Sequence, residues 1–432
     1  MRIVVTLALL AVLELAALLP VLAVNSIGLE HWNGAFRFGV MALGVTPLVG
    51  SFVFIELSSF VFPITRKLRR GGSAGRAKLN ALAIRFGFGF ALFQAFTIAI
   101  ALQNASPPGG VVFVTHPGPL FVLSTIATLS AGTALTYLLG RLISRWGLGN
   151  GFCVILLHDA VWRAFGLAYK SVPATGLSFG SVVGDLIWLA AIALLVWRFS
   201  LRQQAALIDA GQESIPVLTL PAFPQGILPV LWAYAIITFL SPLKSVLASL
   251  VWLTQSPIDL FLIAVLIVAL SFGACSLFSG RGRLSRNLPH GVLPPAGGVI
   301  PLQSLILTTA LLAVFGAGFP VADRYLDLRL AVFGFPGLAM AVAFGFDIVA
   351  EWRFRHRHRD HVACLLEMDN VYCAAYLHGL LAKQGFDSLI RTFHYRSLFF
   401  DFGPLVKMEL LVPAAELDPA RAIIKPDLIE VV

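Results

Sequence analysis

Apolar residues in this chain gather in long blocks instead of alternating with polar ones. Ten blocks approach the ~20 residues a helix needs to cross a bilayer. They are 3–24, 39–62, 82–102, 119–140, 151–169, 182–198, 226–248, 257–279, 298–319 and 329–352. The sixth is short, and the fifth carries His158, Asp159 and Arg163. The pattern predicts an all-α polytopic membrane protein whose ten helices form two pseudo-symmetric groups of five, 1–170 and 180–355. Paired halves of this kind place a substrate path at their interface.

Past Arg355 the pattern changes. RFRHRHRDH (353–361) reads as a basic hinge. HVACLLEM reads as a strand, and DNVYCAAYLHGLLAKQG as a helix with Asp369 or Asn370 as N-cap and Gly385 as C-cap. FDSLIRTFHY and VKMELLVP read as further strands, and DPARAIIK as a closing helix. The expected organisation is a membrane domain over 1–355 and a cytoplasmic α+β domain, a ferredoxin-like open-faced sandwich, over 356–432.

Composition agrees with the blocks. Hydrophobic residues make up 58% of the chain and charged ones 12%, about half the charge of a soluble domain. Basic residues in short loops set orientation. With the N-terminus inside, the inner segments hold Arg2, Arg66, Lys67, Arg69, Arg70, Arg76, Lys78, Arg141, Arg145, Arg198, Arg202, Arg281, Arg283 and Arg286. Arg353, Arg355, Arg357 and Arg359 complete that inner set. The outer segments hold only Arg37, Arg163, Lys170, Lys244, Arg324 and Arg329. Both termini are therefore expected in the cytoplasm. The net charge of +9 is mostly this inner collar, so it points to a membrane surface and to no specific nucleic acid. Cys153, Cys275, Cys364 and Cys373 show no CxxC spacing, so neither disulfides nor a metal site are expected. Arg2 and the first apolar run have the outline of a signal peptide. However, Ala23-Val24-Asn25 is a poor cleavage site and Glu14 sits mid-run, so a retained first span is expected.

Several segments carry chemistry. Gly44 and Pro47 break the start of the second block, and a basic, glycine-containing loop, TRKLRRGGSAGRAK, leads into an apolar helix with Gln94. RWGLGNGF stands at 145–152, PQGILPVLWA at 224–233 and GFPGLAMAVAFGFDIVAEW at 334–352. In this order, over most of residues 1–355, they resemble the SecY family of protein-conducting channels. The tail resembles a small bacterial domain described as a signal-transducing module.

The channel resemblance implies an hourglass pore closed by an apolar ring at Val49, Val53, Leu156, Ala160, Leu231 and Met340. Such a ring is soft to a passing chain and dewets when idle. The i, i+4 spacing of its first two pairs puts each pair on one helical face. It also implies a plug over 26–38 and a lateral gate of helices two, three, seven and eight, with Glu56 and Gln94 as its polar residues. Cytoplasmic docking would use Arg69, Arg70, Arg76, Lys78, Arg281, Arg283 and Arg286. The implied partners are a SecE-like small membrane subunit, a SecA-like motor or a ribosome, the unfolded polypeptide substrate and the lipid bilayer. No cofactor is implied, and no GxxxxGK[ST] phosphate loop occurs, so energy must come from outside. The implied location is the bacterial cytoplasmic (inner) membrane.

The chain also departs from that family. Its loop 201–225 is short, with Arg202 its one basic residue. Gly291-Val292-Leu293-Pro294 lacks the arginine that relatives carry between glycine and proline. Docking on ribosomal RNA needs clustered cations, and that cluster is thinned. A specialised paralogue is expected, its tail replacing lost docking surface. His158 and Asp159 beside a watery pore need no chemistry of their own. His356, His358 and His361, interleaved with arginines, read as headgroup anchors.

Two other classes compete. A small-molecule secondary transporter would use intramembrane charge and broken helices, for which Glu56 and the breaks at 44–50 and 334–337 qualify. A membrane enzyme or receptor would act through the tail, but no nucleophile, base and orienting group assemble there. No catalytic residue is expected.

Overall fold

The structure is a computed structural model that describes residues 2–22, 24, 39–69, 72–104, 113–159, 161, 179–200, 202–209, 215–221, 226–227, 229–233 and 236. It further describes 264–272, 292–293, 302–326, 334–359, 361–368, 371–398 and 406–424. The described chain is mostly helical and divides into two compact units, Met1–Ser58 with Lys78–Leu177 and Ser59–Ala77 with Ser178–Val432.

The first unit contains α1 (Arg2–Ala17), most of α2 (Thr46–Val61) and of α4 (Gly72–Asn104), and α5 (Pro119–Trp146). Small residues let these helices approach closely. Ala83, Ala91, Ala95 and Ala99 make a buried stripe along α4. Ser51 of α2 lies with its hydroxyl 2.7 Å from the carbonyl oxygens of both Leu48 and Ala83, so its single proton is shared between the two helices. Val21, Leu43, Ala91, Ala95 and Leu129 form a core cluster. The outside is apolar. Leu7, Leu15, Phe93, Leu123 and Leu120 (82% exposed) all face outward, more greasy surface than a water-soluble monomer shows. Among the described residues, Ala77–Asn104 and Pro119–Trp146 are long and apolar enough to cross a bilayer.

The second unit contains α3 (Pro63–Arg69), α6 (Phe179–Ser200), α7 (Leu302–Leu326) and α8 (Gly334–Arg357). Helical residues at 229–233 and 264–272 fall inside the seventh and eighth predicted spans, as 151–159 fall inside the fifth in the first unit. Most of the rest of those three spans lies outside the described residues, and so does the whole of the implied plug.

Three expectations need correcting. The basic loop after the second span is largely helical, since α3 and the first turns of α4 flank only Arg70 and Gly71. Its alanines, arginines and lysines are good helix formers. The loop at 201–225 is a hairpin, with β1 (Arg202–Asp209) antiparallel to β2 (Ile215–Pro221). β3 (Val292–Leu293) joins the other edge of β1. Finally, the hinge at 353–361 continues α8 to Arg357, so the helix crosses the expected boundary at 355/356 without a break.

The tail builds a three-stranded antiparallel sheet in the order β4 (Val362–Met368), β6 (Met408–Pro413), β5 (Leu389–Arg391). Helix α9 (Val371–Lys383) ends at Gly385, whose φ of 83° is the left-handed cap expected from sequence; Asp369 and Asn370 lie outside the described residues. The strand expected over FDSLIRTFHY instead stops at Arg391. Thr392 turns left-handed (φ 63°), and α10 (Phe393–Leu398) follows. α11 (Leu417–Ile423) is the last described helix and lies where DPARAIIK is expected to be helical. Leu365, Met368, Leu377, Leu381, Ile390 and Leu410 are among the buried residues of this core.

Candidate functional site

The GLGNG turn explains itself in the first unit. Gly149 takes φ 70°, open to glycine at little cost. Asn150 then caps the next helix, its Oδ1 accepting the amides of Phe152 (3.0 Å) and Cys153 (3.3 Å). Ser144 Oγ accepts the Gly151 amide at 2.8 Å, and Thr6 Oγ1 of α1 accepts the Leu148 amide at 2.9 Å. The pentapeptide therefore fixes the start of the fifth span against α1 and α5. Replacing Asn150 with alanine is expected to cost about 1 kcal/mol, read as lower thermal stability of the detergent-solubilised protein.

The candidate ring and gate residues are distributed as follows. Val49 on α2, Leu156 in 151–159, Leu231 in 229–233 and Met340 on α8 are all half-buried, as is Gln94 on α4. Val53 and Glu56 are helical residues of α2. Among the docking cations, Arg69 ends α3, Arg76 lies in α4, and Lys78 is exposed on α4. Ala160, Arg70, Arg281, Arg283 and Arg286 lie outside the described residues.

His158, read from sequence as needing no chemistry of its own, has a structural partner. Its Nε2 lies 2.7 Å from Oε1 of Glu14 on α1. Polar groups placed within apolar helices pair with one another when they can, and this pair ties the first span to the fifth.

The second unit holds what sequence reasoning missed. Asp347, Glu351 and Arg355 stand at i, i+4 and i+8 on α8, and all three are buried. Arg355 Nε donates to Glu351 Oε1 at 2.8 Å, and Arg391 Nε of the tail donates to Oε2 at 2.9 Å. Arg391 also reaches Glu409 Oε2 with a second nitrogen at 3.0 Å. Burial alone would lower the Arg391 pKa, but the Glu351 and Glu409 carboxylates outweigh it and raise it.

One turn earlier, Asp347 Oδ2 accepts the Tyr395 amide (2.9 Å), and Oδ1 accepts the His394 amide (2.8 Å) with His394 Nδ1 at 2.9 Å. Gly226 meets the same segment. The Ile227 amide donates to Leu398 O at 2.9 Å, and a Cβ on Gly226 would lie 1.7 Å from that oxygen. The tail is thus built onto α6, α8 and the segment at Gly226–Ile227. An i, i+4, i+8 row of charges at the end of an apolar helix was the available signal.

A peripheral pair adds a pH dependence. Burial would raise the Asp387 pKa, but hydrogen bonds from His358 (2.9 Å) and Arg357 (3.0 Å) outweigh it and lower it. A lowered carboxylate pKa stabilises the fold above the ordinary carboxylate range. That contribution is lost as pH falls from ~4 through the lowered value. Because Asp387 is part-exposed, Asp387→Asn is expected to cost under ~1 kcal/mol at neutral pH. It should also flatten the acid limb of a stability-versus-pH curve.

A family model described as SecY matches residues 39–291. The protein translocase subunit SecY of Rickettsia conorii is 25% identical over 269 residues, 55% of this chain and 61% of its own length. That of Buchnera aphidicola is 28% identical over 229 residues, 48% of this chain and 62% of its own. The chain thus spans about three-fifths of the length of these relatives. A solved structure described as a protein conducting channel aligns with TM-score 0.50 and 12% identity. That alignment covers 82% of this chain and 92% of the other, a likeness of fold.

Proposed function

Because the chain belongs to the SecY family, we propose that it is the channel subunit of a protein translocase in a bacterial inner membrane. Unfolded polypeptides would cross through it or leave it sideways into lipid. The observation that carries this reading is the family match over 39–291, which runs from the second span to the loop after the eighth. The fold likeness and the apolar exterior of the helices support it. In this reading ten spans form two five-helix halves with both termini in the cytoplasm. Val49, Val53, Leu156, Ala160, Leu231 and Met340 form the constriction, and Glu56 and Gln94 tune the gate.

A SecE-like subunit would brace the halves, and a SecA-like motor or a ribosome would drive transport. The docking cations Arg69, Arg70, Arg76, Lys78, Arg281, Arg283 and Arg286 would meet that driver. The tail, with helix α9 packed on β2 of the loop between spans six and seven, would supply docking surface in place of the thinned cations. No residue is assigned a catalytic role. The small-molecule transporter reading has no comparable support.

Depletion of the chain in its host separates the two. If a defined set of exported or membrane proteins fails to leave the cytoplasm, translocation is supported. An unchanged exported proteome with altered uptake of a small solute would overturn it.

A further inference from the structure

The tail touches the membrane domain in two chemically different ways. The Glu351 clamp is ionic and closed, with Arg355 and Arg391 both bonded to one carboxylate that is 1% exposed. The segment after it is different. Thr392 adopts φ 63°, a left-handed conformation that is an outlier for a β-branched residue and of the kind that collects at switch regions. The six residues of α10 then lie on α6, on α8 and on the first residues of the seventh span. Their contacts with those elements include hydrogen bonds to Asp347 and Ile227 and a ring contact between Phe346 and His394 at 5.6 Å, while Phe393 packs in the core of the tail. From this segment Tyr395, 1% exposed, sends its hydroxyl to Met340 Sδ at 3.7 Å. A tail residue therefore covers a side chain assigned to the constriction.

We propose that Thr392–Leu398 is a resident inner stopper. It hinges at Thr392, covers Met340 from the cytoplasmic side, and must swing away before a polypeptide can pass, while the Glu351 clamp keeps the tail tethered. This rests on the channel reading for the meaning of Met340. The occupant is the chain itself, and the geometry of its seat is already on the page: Asp347 for two amide N–H groups and a backbone contact at Ile227.

The test uses the full chain in inside-out membrane vesicles. Met340→Cys reports access to a membrane-impermeant maleimide, with the same chain lacking that change as background. Ile227→Cys and Leu398→Cys, whose backbones are hydrogen-bonded, can meet the ~5.5 Å Cα spacing of a disulfide. Oxidation locks the stopper and reduction frees it in the same protein, so misfolding cannot account for a difference between the two states. Labelling is expected to be about tenfold slower oxidised than reduced, the factor that 1.4 kcal/mol of opening free energy represents. Asp347→Asn, without the disulfide pair, should raise it about tenfold over the Met340→Cys parent. Equal labelling in oxidised and reduced samples would overturn the proposal.

The channel reading is judged separately. Adducts of a translocating chain at Val53 and Leu156 that survive oxidation would leave the channel intact and remove the stopper. Adducts there that oxidation abolishes and reduction restores would support both.

Discussion

Glu351→Ala should weaken the attachment of the tail by about 3–5 kcal/mol, the usual cost of removing one partner from a buried ion pair. The carboxylate is 1% exposed and serves two arginines, Arg355 and Arg391, at 2.8 and 2.9 Å. Without it two guanidinium groups share a buried site, where Glu409 still reaches Arg391. The loss is therefore dominated by stranded cations, not by the bonds themselves. Glu351→Gln keeps one oxygen as acceptor but no charge, and should fall between wild type and alanine. Replacing Glu351, Arg355 and Arg391 together with apolar residues of similar size should recover much of the loss, because it removes the desolvation problem on both sides. Amide hydrogen exchange over β4 and β5 of the tail, read beside thermal unfolding, measures all three. A loss below ~1 kcal/mol for the alanine variant would mean that the clamp does not hold the tail.

Gly151→Ala should be among the most damaging single-methyl changes in the first unit. The added Cβ would lie 2.0 Å from the carbonyl oxygen of Gly140, with the Ile143 side chain at 2.8 Å. A flexible side chain could move aside, but the backbone of α5 at that point cannot. Gly140 is itself pressed by the Phe152 ring, 2.8 Å from where its own Cβ would be. Overpacking typically costs about 1–3 kcal/mol and more where the obstacle is rigid, so the upper end is expected. Gly89→Ala, on α4 with nothing within 4 Å of its would-be Cβ, should be neutral or slightly stabilising through helix propensity. Parallel melting curves in detergent test the contrast. Equal melting of the two variants would show that the packing of GLGNG is not tight.

Much of the helical part was legible because a bilayer-length apolar block is a strong and local signal. The block at 82–102 became α4, longer at both ends, and the block at 119–140 became α5, longer at its C-terminal end. Their amphipathic extensions carry Lys78, Arg141 and Arg145, which end an apolar block without ending a helix. Asn150 and the glycines around it were recognisable as a motif, and the structure supplies its physics as a cap and a close approach.

The β-hairpin at 202–221 was missed although Ile215-Pro-Val-Leu-Thr-Leu has strand-like residues. In so short a loop between spans the sparse charge is the more visible signal, and the alternation is short. FDSLIRTFHY was half right. Its strand stops at Arg391 because that side chain turns to Glu351 and Glu409, and Asp347 then supplies the acceptors that start α10. These partners lie forty or more positions upstream or in another strand, so no local window contains the cause. The buried row Asp347, Glu351, Arg355 was hidden for the same reason. On one helix, carboxylates near a membrane surface look like a solvated face until the tail is placed against them.

The channel reading meets its most direct test in a translocating polypeptide stalled in the full-length protein, with cysteines introduced at Val53, Leu156 and Met340. Disulfide adducts at all three positions are the predicted result. Adducts confined to other surfaces, with none at these three, would contradict it.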